Sequence, residues 1–196
     1  LRRDVIDVYL LQQPSMESLT DPGIKTGMEE LLRDGLIRSY GASTLGGHHL
    51  EQVPVVLGMG GYSSIELEMN ITEQEPADDL LPMAERQGVG IVVRVPLGSG
   101  LLTGKYESLD GFTGESDRRG AANSRSRMER RLATATPLCA LAQEEGVSVV
   151  HAALAWVLSH PDVSVIIPGC KNVAQVEDNV EASNITLSSS FLELAA

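Results

Sequence analysis

Two adjacent amide side chains, Gln12 and Gln13, follow an apolar run that is typical of a buried strand. They stand in the stretch DVYLLQQPSMESL, residues 7 to 19, where Pro14 cannot continue the hydrogen bonding of a sheet. A glutamine amide can donate a hydrogen bond to a carbonyl oxygen, but it cannot relay a proton as an imidazole does. The carboxyl end of this predicted strand is therefore a place where the chain could orient a polar ligand.

Two further polar stretches also follow apolar runs. GAST puts the hydroxyls of Ser43 and Thr44 at a strand end, where they can bond a carboxamide or a carbonyl, or else cap the next helix. PLGSGLLTGKY places three glycines within seven residues, which lets the backbone approach a ligand closely and predicts N–H groups free for a pyrophosphate. Lys105 could reach the same charge, and the alternative is a tight turn without a ligand.

The last such stretch, IPGCKN, precedes a predicted helix. Gln175, Asp178 and Asn179 stand at i, i+3 and i+4, so they share one helix face. The start of a helix offers free N–H groups and positive dipole character, and Lys171 adds a cation. The pattern predicts an anion or phosphate site, with a solvated surface lysine as the alternative.

The elements that would position these residues alternate along the chain. Apolar runs rich in β-branched residues predict strands at 5–11, 37–42, 62–67, 90–95 and 163–167. Helical periodicity lies between them at 24–33, 77–87 and 132–145, within VSVVHAALAWVLSHPDV, and at 174–182. This order predicts an α/β fold with a parallel sheet.

A barrel is favoured over a doubly wound sheet, because no glycine-rich fingerprint follows the first strand. An eight-stranded barrel has about 250 residues, whereas this chain has 196 and about five β/α units. The predicted fold class is therefore a partial (β/α)8 TIM barrel, forming one domain over residues 1–196 that is incomplete at its N-terminus. The opening residue, Leu1, also suggests a fragment.

Composition narrows the class of protein. The 27 acidic and 15 basic residues give a net charge of −12, which disfavours nucleic acid as a partner. No apolar run approaches the roughly 20 residues that cross a bilayer, so no membrane partner is expected. Cys139 and Cys170 lack metal-ligand spacing and are expected to be structural thiols in a reducing, cytoplasmic compartment. No metal site is predicted, and the oligomeric state stays open.

The histidines and the longest irregular stretch are weaker candidates. His48 and His49 are expected in a loop, and His151 and His160 on a helix and at its end, where each has a structural or solvated role. The stretch 107–130, rich in Gly, Ser and Arg, is expected to be a mobile loop over an active face or else a plain linker.

These stretches together resemble the C-terminal part of the aldo-keto reductases, a family of nicotinamide-dependent barrel enzymes. The likeness runs through LRRDVIDVYLLQQPS, LLRDGLIRSYGAST, GIVVRVPLGSGLLTGKY and AALAWVLSHPDVSVIIPGCKNVAQVEDNVEA, and covers almost the entire chain. It implies an oxidoreductase that uses NADPH to reduce a small aldehyde or ketone. It also implies a set of cofactor-binding residues: Ser43, Thr44, Ser64, Arg94, Pro96, Leu97, Gly98, Ser99, Gly100, Leu101, Lys105, Ile167, Pro168, Gly169, Lys171, Gln175, Asp178 and Asn179.

The sequence departs from the family pattern at the reacting centre. Members of the family use Asp, Tyr, Lys and His, of which the first three stand N-terminal to the part matched here, and Gln12 occupies the position of the histidine. Ser64 stands where a glutamine commonly contacts the nicotinamide amide, and Arg94 where an aromatic ring often stacks. The alternatives are a nucleotide-binding regulatory or catalytically impaired member, and an inactive truncated fragment.

Overall fold

The computed structural model describes residues 2–44, 47–106, 108–112 and 125–195. The chain divides into two compact units. The first comprises Leu1–Glu68, Glu75–Arg94 and Asp162–Val165, and the second comprises Met69–Gln74, Val95–Pro161 and Ile166–Ala196. Within the described ranges no helix is both long and apolar enough to cross a membrane.

The five strands form one sheet in chain order. They are β1 Tyr9–Gln12, β2 Tyr40–Ser43, β3 Ser64–Glu68, β4 Gly90–Arg94 and β5 Val163–Ile167. The first four pair in parallel, and the register sets Gln12 beside Ser43 and Ser43 beside Glu66. The central strand β3 is largely buried on both faces, as a parallel sheet requires. The predicted α/β class with parallel strands is confirmed.

Four helices belong to the first unit: α1 Met16–Thr20, α2 Pro22–Arg33, α3 His49–Met59 and α4 Pro76–Glu85. The starts of α1 and α2 follow from local side chains. The Ser15 hydroxyl accepts the N–H of Ser18, and the Asp21 carboxylate accepts that of Gly23 at 2.7 Å. Pro22 stands at the first turn of α2, where a helix does not need its N–H.

The second unit is mainly helical. It contains α5 Arg125–Glu144, α6 Val149–Leu158, α7 Val173–Glu181 and α8 Ser189–Ala195, with 3₁₀ turns at Gly98–Thr103, Leu109–Phe112 and Ala182–Asn184. Leu101, Leu109 and Met128 form a buried apolar cluster that joins the first of these turns to α5. Helix α6 is buried from Ala152 to Val157 and forms part of the core of this unit.

Several predicted boundaries were wrong. The strand predicted at 5–11 begins only at Tyr9, because Ile6 makes no more than an isolated bridge to Ile37. Helices α1, α3 and α8 were missed, and His49 begins α3 rather than lying in a loop. Of the predicted loop 107–130, residues from Arg125 onward are helical; Glu107 and residues 113–124 lie outside the described residues.

Gly41 in β2 is a position where only hydrogen fits. A Cβ there would overlap the backbone carbonyl oxygen of Ser64 on β3 and approach a Leu10 methyl group within 2.7 Å. We expect Gly41→Ala to lower the free energy of unfolding by about 1–3 kcal/mol, measured by urea denaturation. Gly27→Ala is the control: nothing lies within 4 Å of a Cβ there, so stability should rise by up to about 1 kcal/mol. Equal stability of Gly41→Ala and the parent would contradict the packing.

Candidate active site

Three neighbouring strands of the first unit present polar side chains in one row, at the carboxyl ends of β1 and β2 and in the middle of β3. Gln12, Ser43 and Glu66 are in register across β1, β2 and β3. Residues in register on adjacent parallel strands point to the same face. The amide of Gln12 is exposed at the end of this row, so it is the member that a solvent-borne molecule can reach.

Both predicted hydroxyls of the GAST stretch are buried and bonded to Glu66. Ser43 Oγ donates to the carboxylate Oε1 at 2.7 Å, and Thr44 Oγ1 donates to the backbone carbonyl at 3.2 Å. Ser43 is 0% exposed. Because each hydroxyl uses its hydrogen on Glu66, only its oxygen lone pairs remain for a ligand. With Ser43 0% and Thr44 1% exposed, a ligand does not reach these acceptors in this structure.

Arg94 ends β4 and is held by the same cluster. Its Nε lies 3.7 Å from Glu66 Oε1, and its Nη1 lies 3.6 Å from Glu68 Oε2. Its Nη2 also donates to the carbonyl of Thr44 at 3.3 Å. All three charged side chains are mostly buried, so the arginine offsets two carboxylates that would otherwise repel each other.

Ser64 lies outside this row, and its place beside the nicotinamide amide stays a prediction. It is the first residue of β3 and pairs with Gly41, whereas Glu66, two residues further, pairs with Ser43. The Ser64 hydroxyl is buried and has no hydrogen-bond partner. Glu66, in the middle of β3, is therefore the residue of this strand that contacts Ser43.

The second unit contains a cavity of about 620 Å³. Ten predicted residues line it: Pro96, Leu97, Ser99, Gly100, Lys105, Gly169, Lys171, Gln175, Asp178 and Asn179. Val95, Thr103, Tyr106, Val150 and Cys170 complete the lining and were not predicted. The volume is typical of a small-molecule site. The structure thus brings together the glycine-rich stretch and the start of α7, which are about 70 residues apart in the chain.

The glycine-rich stretch folds into a left-handed turn, with φ of 56° at Gly98, 59° at Ser99 and 99° at Gly100. The N–H groups of Gly98 and Gly100 are not free for a ligand, contrary to the prediction. The N–H of Gly98 donates to the Val95 carbonyl at 3.0 Å, and that of Gly100 to the Leu97 carbonyl at 2.9 Å. These two groups hold the turn itself, so the cations nearby carry the attraction for an anion.

Two N–H groups at the start of α7 are also bonded within the chain. The Asn172 side chain accepts the N–H of Gln175 at 2.9 Å, and the Gln175 side chain accepts the N–H of Lys171 at 2.7 Å. The prediction of free N–H groups is wrong for these positions. The ammonium groups of Lys105 and Lys171 are exposed, and across the described residues neither forms an ion pair.

Two further contacts hold the residues of α7 that line the cavity. His151 Nε2 lies 2.9 Å from the Asp178 carbonyl oxygen and 3.0 Å from its Oδ1. Since both oxygens accept, Nε2 carries the proton. Asn179 Nδ2 donates to Cys170 Sγ at 3.0 Å. The sequence predicted structural roles for His151 and Cys170, so neither was placed in the site. Each lies several positions or more from its partner in the chain, and no local pattern indicates these contacts.

Four predicted cofactor-binding residues of the second unit do not line this cavity. Leu101 is 1% exposed and packs in the apolar cluster with Leu109 and Met128. Gly98 is buried beneath the turn, where a Cβ would meet Leu102 at 3.4 Å. Ile167 and Pro168 end and follow β5 without joining the lining.

Burial raises the pKa of the Tyr40 hydroxyl and of two further titratable groups outside the cavity lining. Burial raises the pKa of the Cys139 thiol, and a backbone hydrogen bond at Gly104 partly opposes this. Burial also raises the pKa of the Tyr62 hydroxyl, with a smaller contribution from Tyr40 in the same direction. Both groups therefore stay protonated at neutral pH, which for Cys139 agrees with the predicted structural thiol.

Comparison with known proteins shows which family this chain resembles. The profile of the Aldo/keto reductase family matches residues 1–195. An uncharacterized oxidoreductase of Mycobacterium bovis is 32% identical over 190 residues, which cover 96% of this chain and 57% of the relative. An NADH-specific methylglyoxal reductase of Escherichia coli is 30% identical over 94% of this chain and 56% of its own length. An aldo-keto reductase [NADP(+)] of Schizosaccharomyces pombe is 27% identical over 94% and 54%.

A solved structure agrees in fold. Glycerol dehydrogenase from Gluconobacter oxydans matches with a TM-score of 0.78 and 25% identity, over 99% of this chain and 58% of that protein. This likeness confirms the predicted fold class, a partial (β/α)8 barrel. The chain spans only a little over half the length of the relatives it matches. On the match of the family profile over residues 1–195, the chain belongs to the aldo/keto reductase family.

Proposed function

We propose that the protein is an NADPH-dependent oxidoreductase that reduces the carbonyl group of small aldehydes or ketones. Family membership supports the reaction class. The observation that carries the cofactor assignment is the cavity of the second unit, which presents Lys105 and Lys171 together with the amides of Gln175 and Asn179. Two cations and two amides suit the phosphates and the adenosine end of a dinucleotide.

The donor set fits such a cofactor. Lys105 and Lys171 would hold phosphate oxygens, while Gln175 and Asn179 offer donors and acceptors to a base or ribose. Bound NADPH would supply a hydride to the carbonyl carbon. The negative charge of the Asp178 carboxylate repels an anion. The hydrogen bond that it accepts from the His151 N–H reduces this repulsion in the cavity.

The strand-end row of the first unit supports the same proposal. The oxygen lone pairs of Ser43 and Thr44 would accept from the N–H₂ of a carboxamide, since their own hydrogens are bonded to Glu66. Both side chains are buried, so this contact requires a movement that uncovers them. The exposed amide of Gln12 would donate to the carbonyl oxygen of a substrate and orient it. Because Gln12 has no titratable proton, the proton must come from another group, which the family resemblance places in a tyrosine.

The two lysines lead to a prediction on cofactor preference. The relatives named above include one named for NADH and one for NADP(+), so the comparison alone gives no preference. We expect Lys171→Ala to weaken NADPH binding about 10- to 100-fold, as loss of a charge-assisted contact does, and NADH binding much less. Fluorescence titration of the full chain measures both dissociation constants.

Lys25→Ala is the matched control, because it removes the same charge without touching the cavity lining. It should leave both dissociation constants unchanged. Equal weakening of NADPH and NADH by Lys171→Ala would assign Lys171 to the shared pyrophosphate and remove the basis for an NADPH preference.

Gln12 favours one alternative: a nucleotide-binding member that turns over little, since its amide cannot relay a proton. The decisive experiment uses the full-length protein. It measures NADPH binding and NADPH oxidation over a panel of aldehydes and ketones. Binding with turnover supports the reductase. Binding without turnover supports the alternative, and absence of binding by either nicotinamide cofactor contradicts both.

A further inference from the structure

We infer that Asn70 is a positioning residue that holds the glycine-rich turn in its ligand-binding shape by bonding the carbonyl of Val95. The inference rests on the proposed function for its effect on nucleotide binding. Its structural part concerns only residues of the second unit. Asn70 lies outside the cavity lining and was not among the residues that the sequence pointed to.

The strain in this region is concentrated at Val95. It follows β4, lines the cavity and has φ of 55°, in the left-handed region. A β-branched side chain rarely adopts that conformation, and such a residue persists only where its surroundings hold it. The next residue is Pro96, which also disfavours helical conformations at the position before it. Without a restraint, Val95 would relax and the turn after it would change direction.

Two donors supply the restraint at the Val95 carbonyl oxygen. The N–H of Gly98 donates to it at 3.0 Å within the turn. The Nδ2 of Asn70 donates to it at 3.2 Å from outside the turn. Only the second bond ties the turn to another part of the chain, so it fixes the direction in which Pro96, Leu97 and the residues after them leave the strand.

Asn70 is itself immobile, which makes it an effective anchor. It is 0% exposed. Its Oδ1 accepts the N–H of Thr72 at 3.0 Å and the Thr72 hydroxyl at 2.7 Å, and its backbone exchanges two hydrogen bonds with Glu73. These bonds fix the amide so that Nδ2 points at Val95, and little entropy is lost when the donor engages. Leucine or alanine would provide neither the Nδ2 donor nor the Oδ1 acceptor.

The test combines a deletion with a rescue. Asn70→Ala should weaken NADPH binding by the full chain about ten-fold, the loss expected for one buried hydrogen bond. Adding Val95→Gly to Asn70→Ala should restore binding to within about three-fold of the parent, because glycine adopts positive φ without strain. A role of Asn70 in stability alone would not give this rescue once binding is normalised to the folded fraction.

Gln74→Ala is the matched control. Gln74 belongs to the same short segment, and its amide donates to the carbonyls of Ile71 and Ala195 at 2.9 and 2.6 Å rather than to the turn. It should lower stability while leaving the NADPH dissociation constant unchanged. If Gln74→Ala and Asn70→Ala weaken binding equally, or if Asn70→Ala leaves it unchanged, the inference is overturned.

Amide hydrogen exchange keeps the inference separate from the proposed function. Without any nucleotide, Asn70→Ala should accelerate exchange of the Gly98 N–H about ten-fold, whereas Gln74→Ala should not. If the parent protein binds neither NADPH nor NADH, the proposed function fails, and the exchange result alone decides the positioning role. Unchanged exchange at Gly98 in Asn70→Ala would overturn that role.

Discussion

Replacing Arg131 by alanine should lower the free energy of unfolding by about 3–5 kcal/mol, because a buried carboxylate would lose its cation. Arg131 lies in α5, its side chain is 2% exposed, and its Nε donates to Glu73 Oε1 at 2.6 Å. The Glu73 side chain is only 13% exposed, so solvent cannot replace the guanidinium. Urea denaturation with an unchanged m-value would measure the loss.

An exposed pair in the same helix provides the control. Arg125 and Glu129 form an ion pair at 3.0 Å with side chains 66% and 55% exposed. Arg125→Ala should change the free energy of unfolding by less than about 1 kcal/mol. A third variant, Arg131→Met with Glu73→Leu, should recover most of the stability lost in Arg131→Ala, since it removes the stranded charge. If Arg131→Ala cost no more than Arg125→Ala, the pair would not be a structural element of the second unit.

This buried pair shows what local sequence patterns leave undetermined. Arg131 and Glu73 are separated by 58 positions, and each occurs among other charged residues that are ordinarily solvated. The same holds for His151 and Asp178, which are 27 positions apart. A period or a turn signal acts over a few residues, so it carries no information about such partners.

Local signals predicted the elements where they were strong. The β-branched run at 163–167 has the bounds predicted for β5. The helix that ends near Asp34 was recognised from its closing Asp-Gly, and the structure starts it two residues earlier, at Pro22. Helix α3 was missed because Pro54 and Gly58 lie inside it and its start at His48 has no side-chain cap.

Some site residues were likewise predicted from local spacing, whereas others depend on contacts between distant parts of the chain. Spacing at i, i+3 and i+4 grouped Gln175, Asp178 and Asn179 correctly, because a helix converts that spacing into one face. The register that sets Glu66 rather than Ser64 beside Ser43 depends on the neighbouring strand, so a single strand does not contain it. The glycines were recognised as a turn. Only the structure shows that the N–H groups of Gly98 and Gly100 form hydrogen bonds within that turn.

Gln12 is the residue on which the proposed reaction depends most. In the proposed function, its exposed amide would donate a hydrogen bond to a substrate carbonyl oxygen. Removal of one such donor costs about 10²- to 10³-fold in rate in other enzymes. A neutral amide polarises less than a charged group, so we expect Gln12→Ala to lower kcat/KM about 10²-fold with NADPH binding unchanged.

Gln12→His discriminates between donation and proton relay. An imidazole at this position can donate and also titrate, so the variant should gain activity, by about ten-fold or more, with a new inflection near pH 6–7 in the rate profile. Gln87→Ala, which removes an exposed amide outside the row, should leave the rate and its pH dependence unchanged. Steady-state rates of NADPH oxidation by the full chain across pH 5 to about 9 measure all three variants. If Gln12→Ala retained the parent kcat/KM, carbonyl polarisation would have to come from other residues, and the row would serve only to hold the cofactor.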